Sequence, residues 1–423
     1  MTAAIALFAV TYILILLFGK YRTYIALASG VIFIATGMLP VSEIFGSIDF
    51  NVLLMIIGTM GLVSLFTESK MPAMLADMLM EKIPNVKWAA VSLALFAGII
   101  SAFIDNVATV LMVAPIALAI CKKLDTNPVP FIISIAVSSN LQGAATLVGD
   151  TTAIMLGSAL DMSFIDFFWY KGRPSMFFAV ELGALLSALI VLFIFRKENT
   201  PISKNESRTK VTNFVPTVLL VMVLVLLIGA SFIPNKPDIT NGLICCTLLL
   251  IGLVYTAVKK KSITAVIPPL KEIDFQTLGI LVGIFLMIGG ISSMGVIDAL
   301  AGILANMGGG NVFLLYTVIV IASVIISAFI DNIPYVATMI PVIAGIATAL
   351  NIDATPLYFG LLSGATLGGN CTPVGASANI TGIGILKKAG YTVKNGDFFK
   401  IGIPFTLAAV VPAYIYIWLM YGI

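Results

Sequence analysis

Two carboxylates in identical surroundings carry the most chemical information in this chain. Ser-Ala-Phe-Ile-Asp-Asn occurs at Ser101–Asn106 and again at Ser327–Asn332, and each copy sets an acid, Asp105 or Asp331, within a long apolar stretch. A charge at that depth in a bilayer is costly and ordinarily marks an ion or substrate path. Asp and Asn are also favoured helix N-caps, and Pro334 suits the first turn of a helix starting after the second copy. A cap needs only one such residue, however, and Ser or Asn fills it without burying a charge. The doubled Asp-Asn therefore reads as a binding pair that also caps.

A second polar element follows each copy. The first contains Asn140, Thr146, Gly149, Asp150 and Thr151; the second contains Asn370, Thr372, Gly375, Ser377 and Asn379. Glycine, hydroxyl and amide groups at this density suit an unwound span whose oxygens ligate a hard cation. Close packing of small residues explains the glycines alone but fits Asp150, Asn370, Thr372 and Asn379 less well. With Thr109 beyond the first tip, these residues form the candidate site for an ion or substrate. Asp105, Asn106, Asp331, Asn332 and Asn370 are the candidate Na⁺ ligands. The chain has no histidine, so oxygen ligands select Na⁺ or H⁺ over a transition metal. Three intramembrane acids with no intramembrane Lys or Arg make the expected site electronegative and favour a cation. An anion would need bound Na⁺ and half-helix N-termini to offset that charge. No cofactor is expected beyond the coupling ion, and Gly308-Gly309-Gly310 lacks the Lys-Ser/Thr of an ATPase loop. No nucleophile-histidine pair or metal cluster supports an enzyme.

The elements that must position these groups are helices in lipid. Of 423 residues 60% are hydrophobic and 10% charged, against roughly 25% charged in soluble domains. Apolar runs near the spanning length of about 20 residues recur throughout. The fold expected is an all-α polytopic membrane protein without nucleic-acid contacts. The net charge of +3 belongs to its loops. Cys121, Cys245, Cys246 and Cys371 read as apolar packing residues. A polar stretch from Arg196 to Lys210, including the sequon Asn205-Glu-Ser, divides the chain into 1–195, a linker at 196–212, and 213–423. Residues 70–86 and about 296–307 read as interfacial helices, and Phe164, Phe167, Phe168, Trp169 and Tyr170 as an interfacial aromatic belt.

The halves repeat. Ile48-Asp49-Phe50 returns as Ile273-Asp274-Phe275, Pro115 as Pro341 and Thr146-Leu-Val-Gly149 as Thr372-Pro-Val-Gly375, at offsets of 225 to 226. The repeat units are about 41–195 and 266–423. With the N-terminus outside, Lys20/Arg22, Lys122/Lys123, Arg196–Lys210, Lys259–Lys261 and Lys387/Lys388 all fall on the cytoplasmic side. This works only if 88–122 enters and leaves from the cytoplasm and 312–350 from the exterior. The positive-inside rule thus favours two inverted repeats, each with a re-entrant helical hairpin and a broken helix.

These motifs resemble the ion transporter superfamily, in the branch of arsenite permeases, D-type sodium/proton antiporters and P proteins, related to citrate and dicarboxylate transporters. The tip Phe103-Ile-Asp105-Asn106-Val-Ala-Thr109 and the segment Gly368-Gly369-Asn370-Cys-Thr372-Pro-Val-Gly375-Ala-Ser377-Ala-Asn379 carry the resemblance. Dicarboxylate relatives carry Ser-Asn-Thr at such tips. The resemblance implies a homodimer working as an elevator, with a scaffold of about 1–85 and 213–305 and a transport domain of about 86–195 and 312–423. Relatives usually have Gly-Asp-Pro-x-Asn where this chain reads Gly149-Asp150-Thr151-Thr152-Ala153, which makes the half-sites unequal. The expectation is an ion-coupled secondary transporter of a bacterial or archaeal cytoplasmic membrane, exchanging Na⁺ for H⁺. Arsenite or another oxyanion, or Na⁺-coupled citrate or dicarboxylate, are the alternative substrates; a passive channel fits inverted repeats less well.

Overall fold

The computed structural model describes residues 1–202, 209–308 and 311–422. The sequon at Asn205 and the glycines 309 and 310 lie outside the described residues, as does the middle of the linker. Among the described residues seven helices are long and apolar enough to cross a membrane, or eight if the bent pair Thr2–Ile15 and Gly19–Ala35 counts as one span. The protein is an all-helical, multi-pass membrane protein.

In the first half the helices are α1 (Thr2–Leu17), α2 (Arg22–Ala35), α3 (Phe50–Glu68), α4 (Met71–Met80), α5 (Val86–Ser101), α6 (Asn106–Lys123), α7 (Val129–Gly143), α8 (Thr151–Ala159) and α9 (Met176–Ile194). In the second they are α10 (Val215–Ser231), α11 (Thr240–Lys260), α12 (Phe275–Ser293), α13 (Val296–Gly308), α14 (Val312–Ser327), α15 (Asn332–Leu350), α16 (Thr355–Leu362), α17 (Ser377–Lys388) and α18 (Asn395–Tyr421). From α3 onward the same order recurs from α12. An Asp caps the first helix of each unit: Asp49 accepts from the Val52 amide at 3.0 Å, and Asp274 from those of Gln276 and Thr277 at 3.0 Å each.

Each duplicated tip joins two helices that pack together. The sixteen residues of α5 rise about 24 Å, short of the roughly 30 Å hydrocarbon core. Pro115 and Pro341 sit inside α6 and α15. The expected broken spans are present: α7 ends at Gly143 before a turn and restarts at Thr151, while α16 passes through a π-helical segment, Ser363–Leu367, before α17.

Close backbone contact ties the halves together. α2 packs on α12 and α11 on α3. A Cβ on Gly58 of α3 would fall 2.7 Å from the Cys246 amide nitrogen, and one on Gly283 of α12 would fall 2.7 Å from that of Leu27. Only glycine fits at such crossings, where van der Waals contact rather than hydrophobic burial drives helix association. The broken helices abut the hairpins in the same way. A Cβ on Gly149 would fall 2.8 Å from the carbonyl oxygens of both Ser101 and Ala102. One on Gly375 would fall 2.7 and 2.9 Å from those of Ser327 and Ala328.

One expectation needs correction. Phe164 and Phe167 are buried rather than part of an aromatic belt; they pack beneath a short hairpin, Trp169–Tyr170 with Arg173–Pro174, whose Tyr170 lies against Phe359 and Tyr421. The described start of the linker is tied to the first half. The Val86 amide donates to Thr200 at 3.1 Å and that of Lys87 to Glu198 at 2.9 Å, clamping it on the base of α5.

Candidate functional site

The duplicated tips fall where helices meet end to end. Chain reversal leaves the first amides of α6 and α15 without intrahelical acceptors, and the Asp residues supply them. Asp105 Oδ1 accepts from the Ala108 amide at 3.0 Å, and Asp331 Oδ1 from that of Ile333 at 3.5 Å. Capping occupies one carboxylate oxygen and leaves acceptor capacity on the other.

Around the first tip lies a cavity of about 370 Å³. Of the fifteen residues expected at the site, it brings together Asp105, Asn106, Asp150, Thr151, Asn332 and Ser377. Asp150 caps α8, accepting from the Thr151 amide at 2.8 Å, the Thr152 hydroxyl at 2.8 Å and the Asn332 amide group at 3.4 Å. That last bond crosses from one half to the other. Three further acids, Glu68, Glu272 and Asp274, complete the lining, together with the hydroxyls of Ser64, Thr67 and Thr277. Among the described residues, five carboxylates and no cationic side chain therefore line this cavity. Glu68 pairs with Lys260 at 3.3 Å; among the described residues no ion pair reaches Asp105 or Asp150.

The remaining expected residues build the wall rather than line the cavity. Thr109 donates to the Asp105 carbonyl at 3.0 Å. Thr146 donates to the Ala102 carbonyl and Thr372 to that of Ala328, a duplicated bond that fastens each broken helix to its hairpin. Gly149 and Gly375 are the close contacts described above, and Gly149 also borders a small recess beside Asp105 and Asp150. Asn140 accepts from Asn106 at 3.1 Å and donates to the Thr366 carbonyl at 2.7 Å and to Asn370 Oδ1 at 3.1 Å, while Asn370 donates to the Val137 carbonyl at 2.9 Å. Asn379 donates to the carbonyls of Gly369 and Thr372, both at 3.1 Å.

The structure divides the sodium set suggested by the sequence. Asp105, Asn106 and Asn332 share the first cavity, but Asn370 is committed to the brace between the broken helices. Asp331 faces a second cavity, of about 350 Å³, across its hairpin tip. There it accepts from Ser377 at 3.0 Å and from Arg22 at 3.1 Å. Arg22 at Asp331 corrects the expectation of a site without basic side chains. Arg22, read from sequence as a loop charge, opens α2 just after a bend of 111° from α1 and reaches the tip. No motif could have revealed it. Asp274 had a signal, the repeated Ile-Asp-Phe, which reads as a repeat marker rather than as cavity lining.

These features define a polytopic membrane transporter, with two packed hairpins whose tips enclose an acidic cavity. The family model described as the citrate transporter family (CitMHS) matches residues 12–362 and 243–422, and the chain belongs to that family. A 46 kDa membrane protein of Mycobacterium leprae is 30% identical over 99% of this chain and 98% of its own length. An uncharacterized transporter of Mycobacterium tuberculosis is 28% identical over the same shares. The human P protein is 24% identical over 95% of this chain, which spans 58% of that protein. Among solved structures, the YdaH transporter of Alcanivorax borkumensis matches with a TM-score of 0.62 at 16% identity, covering 90% of this chain and 86% of its own. That likeness concerns the fold.

Proposed function

We propose that this protein is an ion-coupled secondary transporter that exchanges Na⁺ for H⁺ across the cytoplasmic membrane. The observation that carries this is the first cavity: among the described residues five carboxylates and no cationic side chain line it, and no ion pair reaches Asp105 or Asp150. Oxygen ligands without nitrogen or thiolate favour a hard monovalent cation or a proton. The site draws on both halves, since Asn332 and Ser377 approach Asp105 and Asp150. That is the arrangement expected of inverted repeats whose binding residues lie at their interface.

Charge placement supports an external N-terminus, with Lys20/Arg22 and Lys259–Lys261 in the cytoplasm. Pro268, Glu272 and Asp274 line the cavity a few residues after that second basic loop in sequence, and Glu68 of the lining pairs with its Lys260 at 3.3 Å. On this orientation the conformation is open inward, and alternating access moves the hairpins and broken helices past a scaffold built on the α2–α12 and α3–α11 pairs. The transporter would work as a homodimer and elevator.

Everted vesicles should show Na⁺-dependent proton movement that Asp331→Asn abolishes while citrate and arsenite have no effect. Unaltered exchange in that variant refutes the proposal. The family's description as a citrate transporter favours a second reading, in which the acids hold coupling cations beside a bound carboxylate anion. Saturable Na⁺-dependent uptake of labelled citrate, with no Na⁺/H⁺ exchange in its absence, would select it.

A further inference from the structure

The two half-sites differ in a way that the repeat makes measurable. Gly58 and Gly283 are equivalent positions, 225 residues apart, and their contacts match Cys246 of α11 with Leu27 of α2. Five residues before Leu27 is Arg22; five before Cys246 is Asn241. Both occupy the first turn of their helix, and each helix packs on the opening helix of the other repeat. One half therefore presents a guanidinium at this register and the other a buried neutral amide.

Arg22 uses that place fully. Its Nη1 lies 3.1 Å from Asp331 Oδ2, with side-chain exposures of 27% for the arginine and 14% for the acid. Ser377 donates to the same oxygen at 3.0 Å, and Ser377 also lines the first cavity. Hence one hydroxyl stands between the carboxylate held by Arg22 and the cavity lined by Asp105 and Asp150. A guanidinium so placed fills the role of a bound cation, since both neutralise the acid and each excludes the other.

Resting on the cation reading above, we propose that Arg22 is a specificity-determining positioning residue: a tethered cation that occupies Asp331 in this conformation and displaces the transported cation from the second half-site. Asp105, whose repeat partner register holds Asn241, keeps its cation in the same conformation. When the hairpin tip moves away from α2, Asp331 loses Arg22 and becomes free to take a cation from the other face. The tether thus makes release at Asp331 obligatory in one state and permits binding in the other.

The test is equilibrium binding of radiolabelled Na⁺ to the purified full chain, with Arg22→Gln, Arg22→Lys and the double variant Arg22→Gln/Asp331→Asn. In Arg22→Gln, Na⁺ bound per chain should rise, or the half-saturating Na⁺ should fall by about tenfold to hundredfold, the factor one charge-assisted bond supplies. Arg22→Lys should behave as wild type, and adding Asp331→Asn to Arg22→Gln should cancel the gain, an outcome a merely structural role would not give. Should Arg22→Gln be too unstable to purify, Arg22→Met and Arg22→Lys are compared instead, and only Arg22→Met should gain Na⁺ affinity. Wild-type protein that binds Na⁺ identically to Arg22→Gln overturns the tether and leaves the transport reading standing. Wild-type protein that binds no Na⁺ at any concentration overturns both.

Discussion

Asp105 is both a helix cap and a candidate ligand, and one substitution separates these roles. Asn caps nearly as well as Asp, so Asp105→Asn keeps an acceptor for the Ala108 amide now held at 3.0 Å while removing the charge. Removing one of five carboxylates from a shared cavity also lowers their mutual repulsion. The thermal midpoint without Na⁺ should therefore stay at or slightly above that of wild type. Binding should change far more. A unit charge about 4 Å from a cation is worth roughly 4 kcal/mol at an effective dielectric of 20, so loss of the carboxylate weakens Na⁺ by up to about a thousandfold. Asp105→Ala should lose the same affinity and, in addition, about 0.5–2 kcal/mol of stability with the cap. Na⁺-dependent thermal shift on purified protein reads both quantities at once. If Asp105→Asn retains wild-type Na⁺ response, the acid is only a cap and the reasoning fails.

Two further outcomes follow from contacts elsewhere. Gly149→Ala or Gly375→Ala would press a methyl on three carbonyl oxygens, the nearest at 2.6 and 2.5 Å. No rotamer change relieves a clash with backbone, so each should cost about 1–3 kcal/mol, seen as a lower thermal midpoint with reduced transport; an unchanged midpoint would mean that the broken helix is free to shift. At the loop before α16, Asp353 is partly buried, which raises its proton affinity. The hydrogen bonds from Lys171 and Thr355 outweigh that effect and hold the carboxyl below its usual range. A carboxyl lowered in this way stabilises the fold at neutral pH and loses that contribution as pH falls through its folded value. Lys171→Met should therefore lower the midpoint slightly at pH 7, by no more than about 1 kcal/mol for so exposed a pair. The difference from wild type should close in acid, and a difference that widens there would contradict the assignment.

The helices, the two tips and the breaks after them were legible because lipid imposes one rule. Any run without an internal backbone partner must contain glycine, amide, hydroxyl or acid, and such residues stand out at Ser101–Asn106, Ala144–Asp150 and Ser363–Asn379. The duplication sharpened this by repeating each signal. What could not be read was the direction in which each polar side chain points. Thr146 and Asp150 share one segment, yet one ties down a carbonyl and the other opens on the cavity. Asn332 and Asp331 are neighbours on opposite sides of a tip. Arg22 was out of reach because its partner Asp331 lies 309 residues away in the other half, and charge pattern marks Arg22 only as a loop residue.

The crossed pairing of α2 with α12 and α11 with α3 has a consequence for synthesis. Each helix that precedes a repeat finds its glycine-bearing partner in the other repeat, and Phe275 follows Ala35 by 240 residues. At about 5–20 residues per second, α2 waits on the order of tens of seconds in the membrane before Gly283 exists. During that interval its packing face meets lipid or an insertion factor. The first half expressed alone would remain in that waiting condition, whereas two separately encoded halves could still clasp each other once both are inserted.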